Sequence, residues 1–315
     1  MADSSKKSQD DNGEPQIISV AVGKKFQKYY GDGSSTPWLD EDPLLQRQIE
    51  KNQWMRWDGS LGTAQEHMHW MKEQAQSFMS DERHGEYRRY GEHKGVEYFI
   101  HDKLTEAGRG YGFFKLMGTF DFEPKDLLAC MFDFGLTVEM DDTVVLMKIL
   151  GTYYQNDKKN HQETTNKAHN PFVTAAYWSN APGFPFQYRD GVDLSGYLID
   201  NDTSGGDDDI GGGTVWQLST SIRAGEFQSC PNGLTAENRY WAYKLEPIRE
   251  KSKVKTRATL ICQTLLNGCI PKILSNYMVC KVLIDYVAKA EEVIKRNKES
   301  GKQDMLLKRL QFDDL

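Results

Sequence analysis

The chain has 315 residues, 38% of them apolar and 27% charged. That apolar share supports a packed core and excludes wholesale disorder, while a net charge of −7 argues against a dedicated nucleic-acid binder, which needs a basic face. No apolar run reaches the roughly 18 residues of a membrane-spanning helix.

Residues 1–15 are polar and mixed in charge, without the apolar segment of a secretory signal or the Arg-rich pattern of a transit peptide. Residues 1–60 are poorer in apolar residues than the whole. They are broken at Asp11-Asn12-Gly13, at Gly31 to Ser35 and at Asp40 to Pro43. They read as a disordered polar leader. Phe26, Tyr29, Tyr30, Trp38, Trp54 and Trp57 make that leader a candidate docking arm for a protein partner.

A helix is predicted from Thr63 to Asp81. Met68, Met71, Ala75, Phe78 and Met79 recur at spacings of three and four, and Glu66 stands three after Thr63 as in a capping box. From Glu86 to Phe122 the period changes to two, with Val96, Tyr98 and Ile100 on one side. Turns at 92–95 and 105–110 divide this stretch into three strands. Pro124 opens a short helix over 125–134. Further strands are predicted at 143–154, 168–178, 190–199, 214–224, 239–248 and 253–265. A long helix follows Pro271, with Ile273, Leu274, Tyr277, Ile284, Val287, Ala288 and Ile294 on one face. Residues 300–315 read as a polar tail with one amphipathic patch, Met305 to Phe312. The fold class is α+β, a curved antiparallel sheet of about nine strands wrapped around the C-terminal helix.

The five cysteines, Cys130, Cys230, Cys262, Cys269 and Cys280, are odd in number and contain no CxxC pair. They read as reduced thiols of a cytoplasmic protein.

Three stretches carry a family resemblance. Leu266-Asn267-Gly268-Cys269-Ile270-Pro271-Lys272-Ile273-Leu274-Ser275-Asn276 runs from a strand end into the last helix. Pro185-Phe186-Gln187-Tyr188-Arg189-Asp190-Gly191-Val192 is a proline-containing loop leading into an Arg-Asp strand start. Gly118-Thr119-Phe120-Asp121-Phe122-Glu123-Pro124 is a strand-to-helix step. In this order they resemble the START (StAR-related lipid transfer) domain of the helix-grip superfamily, in its phosphatidylcholine-transfer-like form. The resemblance covers about Ala64 to Lys298 and places the domain at 61–299. Members often carry an Arg…Trp-Asp stretch where this chain has Glu139-Met140-Asp141, so no role is carried to those positions.

The resemblance implies one lipid enclosed in an apolar tunnel beneath the C-terminal helix, carried between membranes or sensed, with no catalysis, cofactor or metal. Burying a lipid chain gains about 0.8 kcal/mol per CH₂. Wall candidates are Phe114, Leu116, Val145, Met147, Leu218, Ile222, Trp241, Tyr243, Leu260, Cys262, Tyr277 and Met278. Val254, Thr256, Ala258, Leu260, Cys262 and Thr264 share one strand face, whose small residues leave room for a ligand or for bulky neighbours. Arg189, Asp190, Arg223 and Gln217, with Tyr177 and Trp178, are candidates for a phospholipid headgroup, or for a structural ion pair among core aromatics. Phe184, Phe186 and Tyr188, on a Pro/Gly loop, form a candidate membrane gate for transient surface contact.

Other motifs are weaker. Lys244 to Arg257 is a basic hairpin suited to anionic headgroups or simply to water. Asp200-x-Asp202-x-Ser204-Gly205 starts like a calcium loop, but Gly211 stands where a bidentate Glu is required. His67 and His69 lie two apart and cannot share a metal from one helix face. A phospholipid is favoured over a sterol. The alternatives are a sterol carrier, a helix-grip enzyme on a hydrophobic substrate, and a ligand-gated interaction protein.

Overall fold

Alternation of apolar and polar positions builds strands where it was expected. The computed structural model describes residues 20–22, 36–101, 103–104, 112–154, 172–181, 187–200, 213–223, 233–250, 253–267, 272–310 and 312; of residues 37, 38, 81 and 272–282 only the backbone is described. Strands β1 (Val20–Val22), β2 (Trp54–Arg56) and β3 (Leu61–Gly62) are short. β4 (Tyr87–His93), β5 (Val96–His101) and β6 (Phe113–Phe120) are the expected trio. β7 (Val144–Tyr154), β8 (Phe172–Asn180), β9 (Arg189–Asp200) and β10 (Thr214–Arg223) follow. β11 (Leu234–Thr235), β12 (Glu237–Glu250) and β13 (Lys253–Leu265) complete the set. The helices are α1 (Pro37–Asp40), α2 (Pro43–Lys51), α3 (Ala64–Met79), α4 (Pro124–Phe132), α5 (Phe134–Met140), α6 (Lys272–Glu299) and α7 (Lys302–Leu310).

The sheet's main path is β1–β7–β8–β9–β10–β12–β13–β6–β5–β4, and each neighbouring pair on it is antiparallel. Both faces are covered. One carries Phe114, Leu116, Val215, Tyr243, Leu260 and Cys262 under Leu283, Ile284, Val287, Ala290, Val293 and Ile294 of α6. The other carries Phe113, Val192, Leu194, Trp216, Leu218 and Ile261 under Met68, Met71, Ala75 and Phe78 of α3. Alternation along each strand sends odd and even positions to different cores.

Helix α3 starts as expected. The Thr63 hydroxyl accepts from the Glu66 N–H, and the Glu66 carboxylate accepts from the Thr63 N–H at 2.7 Å. The direction of α6 is set at both ends. Arg189, at the start of β9, donates to the carbonyl of Leu266 just ahead of it, and the Asp121 N–H, beyond the end of β6, donates to Glu291 at 3.3 Å. The first half of α6 therefore overlies the end of the sheet where β9 begins and β10 and β13 finish.

Three expectations need correcting. Residues 36–60 are not a disordered leader: Leu39, Leu45 and Trp54 are each 0% exposed and belong to the core under α3. Asp42, read as punctuation, caps α2 by accepting from the Leu44 and Leu45 N–H groups at 2.9 and 3.0 Å. Residues 302–310 are likewise not a polar tail but helix α7, with Gln303, Leu306, Leu307 and Leu310 buried. The short helix after Pro124 is two helices, α4 and α5, with Asp133 capping the second through the Leu136 N–H.

The segment before α3 is held by Arg56. Its guanidinium lies 3.3 Å from the centre of the Trp70 ring and grips both Asp58 carboxylate oxygens, at 3.1 and 2.7 Å. Burial alone would raise the Asp58 carboxyl, but Arg56 and the Ser60 N–H hold it down at about 2. Stability from this lowered acid is present above the unfolded carboxyl's range and is lost as the pH falls through about 2. Asp58→Asn should cost about 1–2 kcal/mol at pH 7 and almost nothing at the acid limit. Urea titrations across that range would reject the pairing if the loss were independent of pH.

Candidate functional site

The face of the sheet under α6 has two halves. Toward the C-terminal half of the helix it is apolar, built from Phe114, Leu116, Val215, Tyr243, Leu260 and Cys262. Toward the start of the helix it is polar. Asp193, Ser195 and Tyr197 share one side of β9, and Gln217, Ser219 and Ser221 face the same way from β10, because Tyr197 and Val215 belong to the α6 core. Asn238 of β12 joins them by pairing with Thr264, whose hydroxyl donates to Asn238 Oδ1 at 2.7 Å.

Asp193 is the centre of this patch and is 5% exposed. Its carboxylate accepts from the Ser221 hydroxyl, from Asn238 Nδ2 at 2.7 Å and from the Ser219 hydroxyl at 3.4 Å. Ser221 in turn accepts from the Asn238 N–H at 2.7 Å. Burial pushes the Asp193 carboxyl above the ordinary carboxylate range, although Ser221, Asn238, Trp178 and Ser219 oppose it. The Trp178 indole nitrogen is near enough to contribute but makes no well-formed hydrogen bond. Trp178 reaches this place because its neighbour in register is Gly191, where a Cβ would meet the Ala236 carbonyl at 2.8 Å and the Trp178 ring at 3.0 Å. Gln217 gives its amide to Ser195 at 3.1 Å, and its Oε1 is buried without a partner among the described residues. The Tyr243 hydroxyl is buried in the same condition.

The candidates from the sequence separate across the sheet. Phe114, Leu116, Tyr243, Leu260 and Cys262 lie together in the core under α6, with Trp241 packed against it. Val145, Tyr177, Leu218 and Ile222 lie in the core under α3, on the opposite face, with Tyr188 against them. Met147 packs with Ala21, Phe134 and Ala176 beneath α5. Asp190 accepts from the Tyr177 hydroxyl at 3.1 Å on the α3 side. Arg223 ends β10 and is exposed. The side chains of Tyr277 and Met278, the loop residues Phe184 and Phe186, and the calcium-like loop beyond Asp200 lie outside the described residues.

Arg189 is placed as a clamp. Its guanidinium donates to the carbonyls of Gln187 at 2.8 Å, Tyr188 at 3.2 Å, Asn267 at 3.2 Å and Leu266. Those bonds tie the start of β9 to the residues that directly follow β13. Lys244–Glu246 and Lys255–Glu250, each at 2.7 Å, pair charges of the basic hairpin. Asp200 is engaged by Lys72 and by the Trp216 indole. His67, buried against the Trp54 carbonyl at 2.9 Å, is a core histidine whose proton affinity burial lowers. Among the described residues, no group of three His, Cys, Asp or Glu side chains is arranged to hold a metal. No described helix is long and apolar enough to cross a membrane.

Of the polar patch the sequence reading named Gln217 alone and missed Asp193, Ser219, Ser221 and Asn238, although a signal existed. In Gln217-Leu218-Ser219-Thr220-Ser221 and in Asp193-Leu194-Ser195 polar residues recur at every second position. A strand exposing that side to water would read the same. Burial of both faces of β9 and β10 is what distinguishes the two.

An antiparallel sheet with a long C-terminal helix across one face defines a helix-grip α+β protein. Comparison with solved structures specifies it further. The human StAR-related lipid transfer protein 5 superposes with a TM-score of 0.54 at 16% identity, over 74% of this chain and 97% of that one. Human STARD10 superposes with a TM-score of 0.53 at 14% identity, over 77% of this chain and 84% of that one. The fold is that of the StAR-related lipid transfer domains. No family model and no curated protein sequence matches the chain.

Proposed function

We propose that the protein binds one lipid between the sheet and α6, and transfers it between membranes or senses it without chemistry on it. The observation that carries this reading is the two-toned face under α6. An apolar half suited to acyl or ring carbons adjoins a polar half holding Gln217 and Tyr243 atoms that have no partner among the described residues. The likeness to lipid transfer domains supports the same reading at the level of fold. The loop before Tyr188, with Phe184 and Phe186, is the proposed gate where the lipid enters from a membrane surface. A helix-grip enzyme is less well supported. Asp193 receives its hydrogen bonds directly from Ser221, Ser219 and Asn238, with no imidazole between hydroxyl and carboxylate among the described residues.

Native mass spectrometry of the purified full chain, with lipid extraction, tests the reading. A single lipid should co-purify, and fluorescent lipid should move between liposomes when protein is added. Phe184→Ser with Phe186→Ser should slow that transfer while leaving the melting temperature nearly unchanged. Absence of both bound lipid and transfer would reject the proposal.

A further inference from the structure

We infer that the polar half of the inner face is a headgroup site for an uncharged lipid bearing hydroxyl or amide donors, and that it rejects phosphate-bearing lipids. The inference rests on the lipid-binding reading above and adds the chemistry of the ligand's polar end.

The first argument is hydrogen-bond capacity. Register places Asp193 opposite Ser221 and Gln217 opposite Tyr243, so these groups form one continuous surface across β9, β10 and β12. A carboxylate offers about four acceptor positions. Asp193 uses three, on Ser219, Ser221 and Asn238. Gln217, 5% exposed, keeps its Oε1 without a partner among the described residues, and Tyr243, 2% exposed, keeps its hydroxyl so. Gln217 Oε1 accepts only, the Tyr243 hydroxyl accepts or donates, and the indole N–H of Trp178, which makes no well-formed bond, lies beside the Asp193 carboxylate. Such a wall selects ligands that donate, because buried acceptors left unmatched are costly.

The second argument is charge. A phosphate would bring a second anion against a buried carboxylate. In a medium of low dielectric that contact is unfavourable unless a cation sits beside it. No described cation is among the groups that act on Asp193. Arg189 spends its guanidinium on four backbone carbonyls. Arg223 is exposed at the end of β10. Lys115 is buried on the opposite face, over the Tyr87 ring and beside the Met79 carbonyl. The influences on Asp193 are burial and hydrogen bonds from neutral groups, with no cation among them. A hydroxyl or amide at this place meets acceptors at no electrostatic cost, and its hydrocarbon continues into the apolar half.

The experiment offers the full-length protein phosphatidylcholine vesicles containing equal small fractions of diacylglycerol, ceramide, cholesterol and phosphatidylserine. The protein is re-isolated and its lipid identified by mass spectrometry. Lipids with hydroxyl or amide donors and no phosphate should be enriched about tenfold or more over both phospholipids. Gln217→Met leaves the Asp193 hydrogen bonds in place and should lower that enrichment about tenfold, with phospholipid still excluded. Asp193→Asn removes the charge at constant shape and should admit phospholipid. Preferential loading of either phospholipid by the unaltered protein, or unchanged selectivity in both variants, overturns the inference while lipid binding stands. If no lipid of any class loads, both the inference and the lipid-binding reading fall.

Discussion

Replacing Arg189 by Met should destabilise the fold by about 3–5 kcal/mol. Arg189 is 3% exposed, and its side chain bridges two chain segments that are far apart in sequence. The carbonyls of Leu266 and Asn267 follow β13, and those of Gln187 and Tyr188 precede β9. All four face one guanidinium. Methionine fills similar volume but donates nothing, so the carbonyls lose their charged partner together. Each unsatisfied buried acceptor costs about 1–3 kcal/mol. Lysine should not rescue the loss, because its three donors radiate from one nitrogen and cannot span a fork of carbonyls. Urea unfolding gives the magnitude. Hydrogen exchange gives the location: amides at the start of α6 should lose protection before those near Ile294. A Met variant within about 1 kcal/mol of the parent would mean that Leu266 and Asn267 are held by something else.

Arg189 also indicates where sequence reasoning stops. An Arg-Asp pair at a strand start suggested a headgroup contact or a local ion pair. Neither reading could see the Leu266 and Asn267 carbonyls, which arrive from 77 and 78 residues away. The elements themselves were legible, because period is a local property. The stripe of α3, its Thr63 cap, and the alternation of β5, β6 and β13 follow from nearest-neighbour geometry. Residues 36–60 were not legible. Leu39, Leu45 and Trp54 are core residues in elements of four, nine and three residues, too short to establish a period. The wall of the site was half legible. Alternation separates Leu260 from Ile261 and Leu218 from Ser219, but where both faces of a strand are buried it does not say which looks toward α6. Apolar residues were therefore chosen on both sides, and of the polar side of β9 and β10 Gln217 was named while Asp193 at its centre was passed over.

The C-terminal residues carry the second large effect. Phe312→Ala should cost about 3–5 kcal/mol, as large aromatic truncations in packed cores do. Phe312 is 0% exposed and closes a cluster with Phe132, Phe172 and Tyr197. Its ring stacks parallel to Phe172 at 6.2 Å and meets Tyr197 edge-on at 5.1 Å. Phe132 contacts Phe172 at 5.0 Å and Tyr197 at 5.9 Å, so the four rings brace α4, β8, β9 and the chain beyond α7 against one another. The Phe312 N–H also donates to the Leu307 carbonyl at 2.7 Å, which turns the chain end back onto the core. Removing the ring leaves a cavity among rigid neighbours that cannot collapse into it. Phe312→Leu retains part of the volume and should cost clearly less than the alanine variant. Deleting 300–315 removes Leu306, Leu307, Leu310 and Phe312 together, and should leave a chain that does not fold cooperatively. A solvated tail predicts the opposite for all three variants, namely melting temperatures indistinguishable from the parent. The order of stabilities, parent above Leu above Ala above the truncation, is what a packed core at this end requires, and thermal and urea denaturation of the four proteins would expose any departure from it.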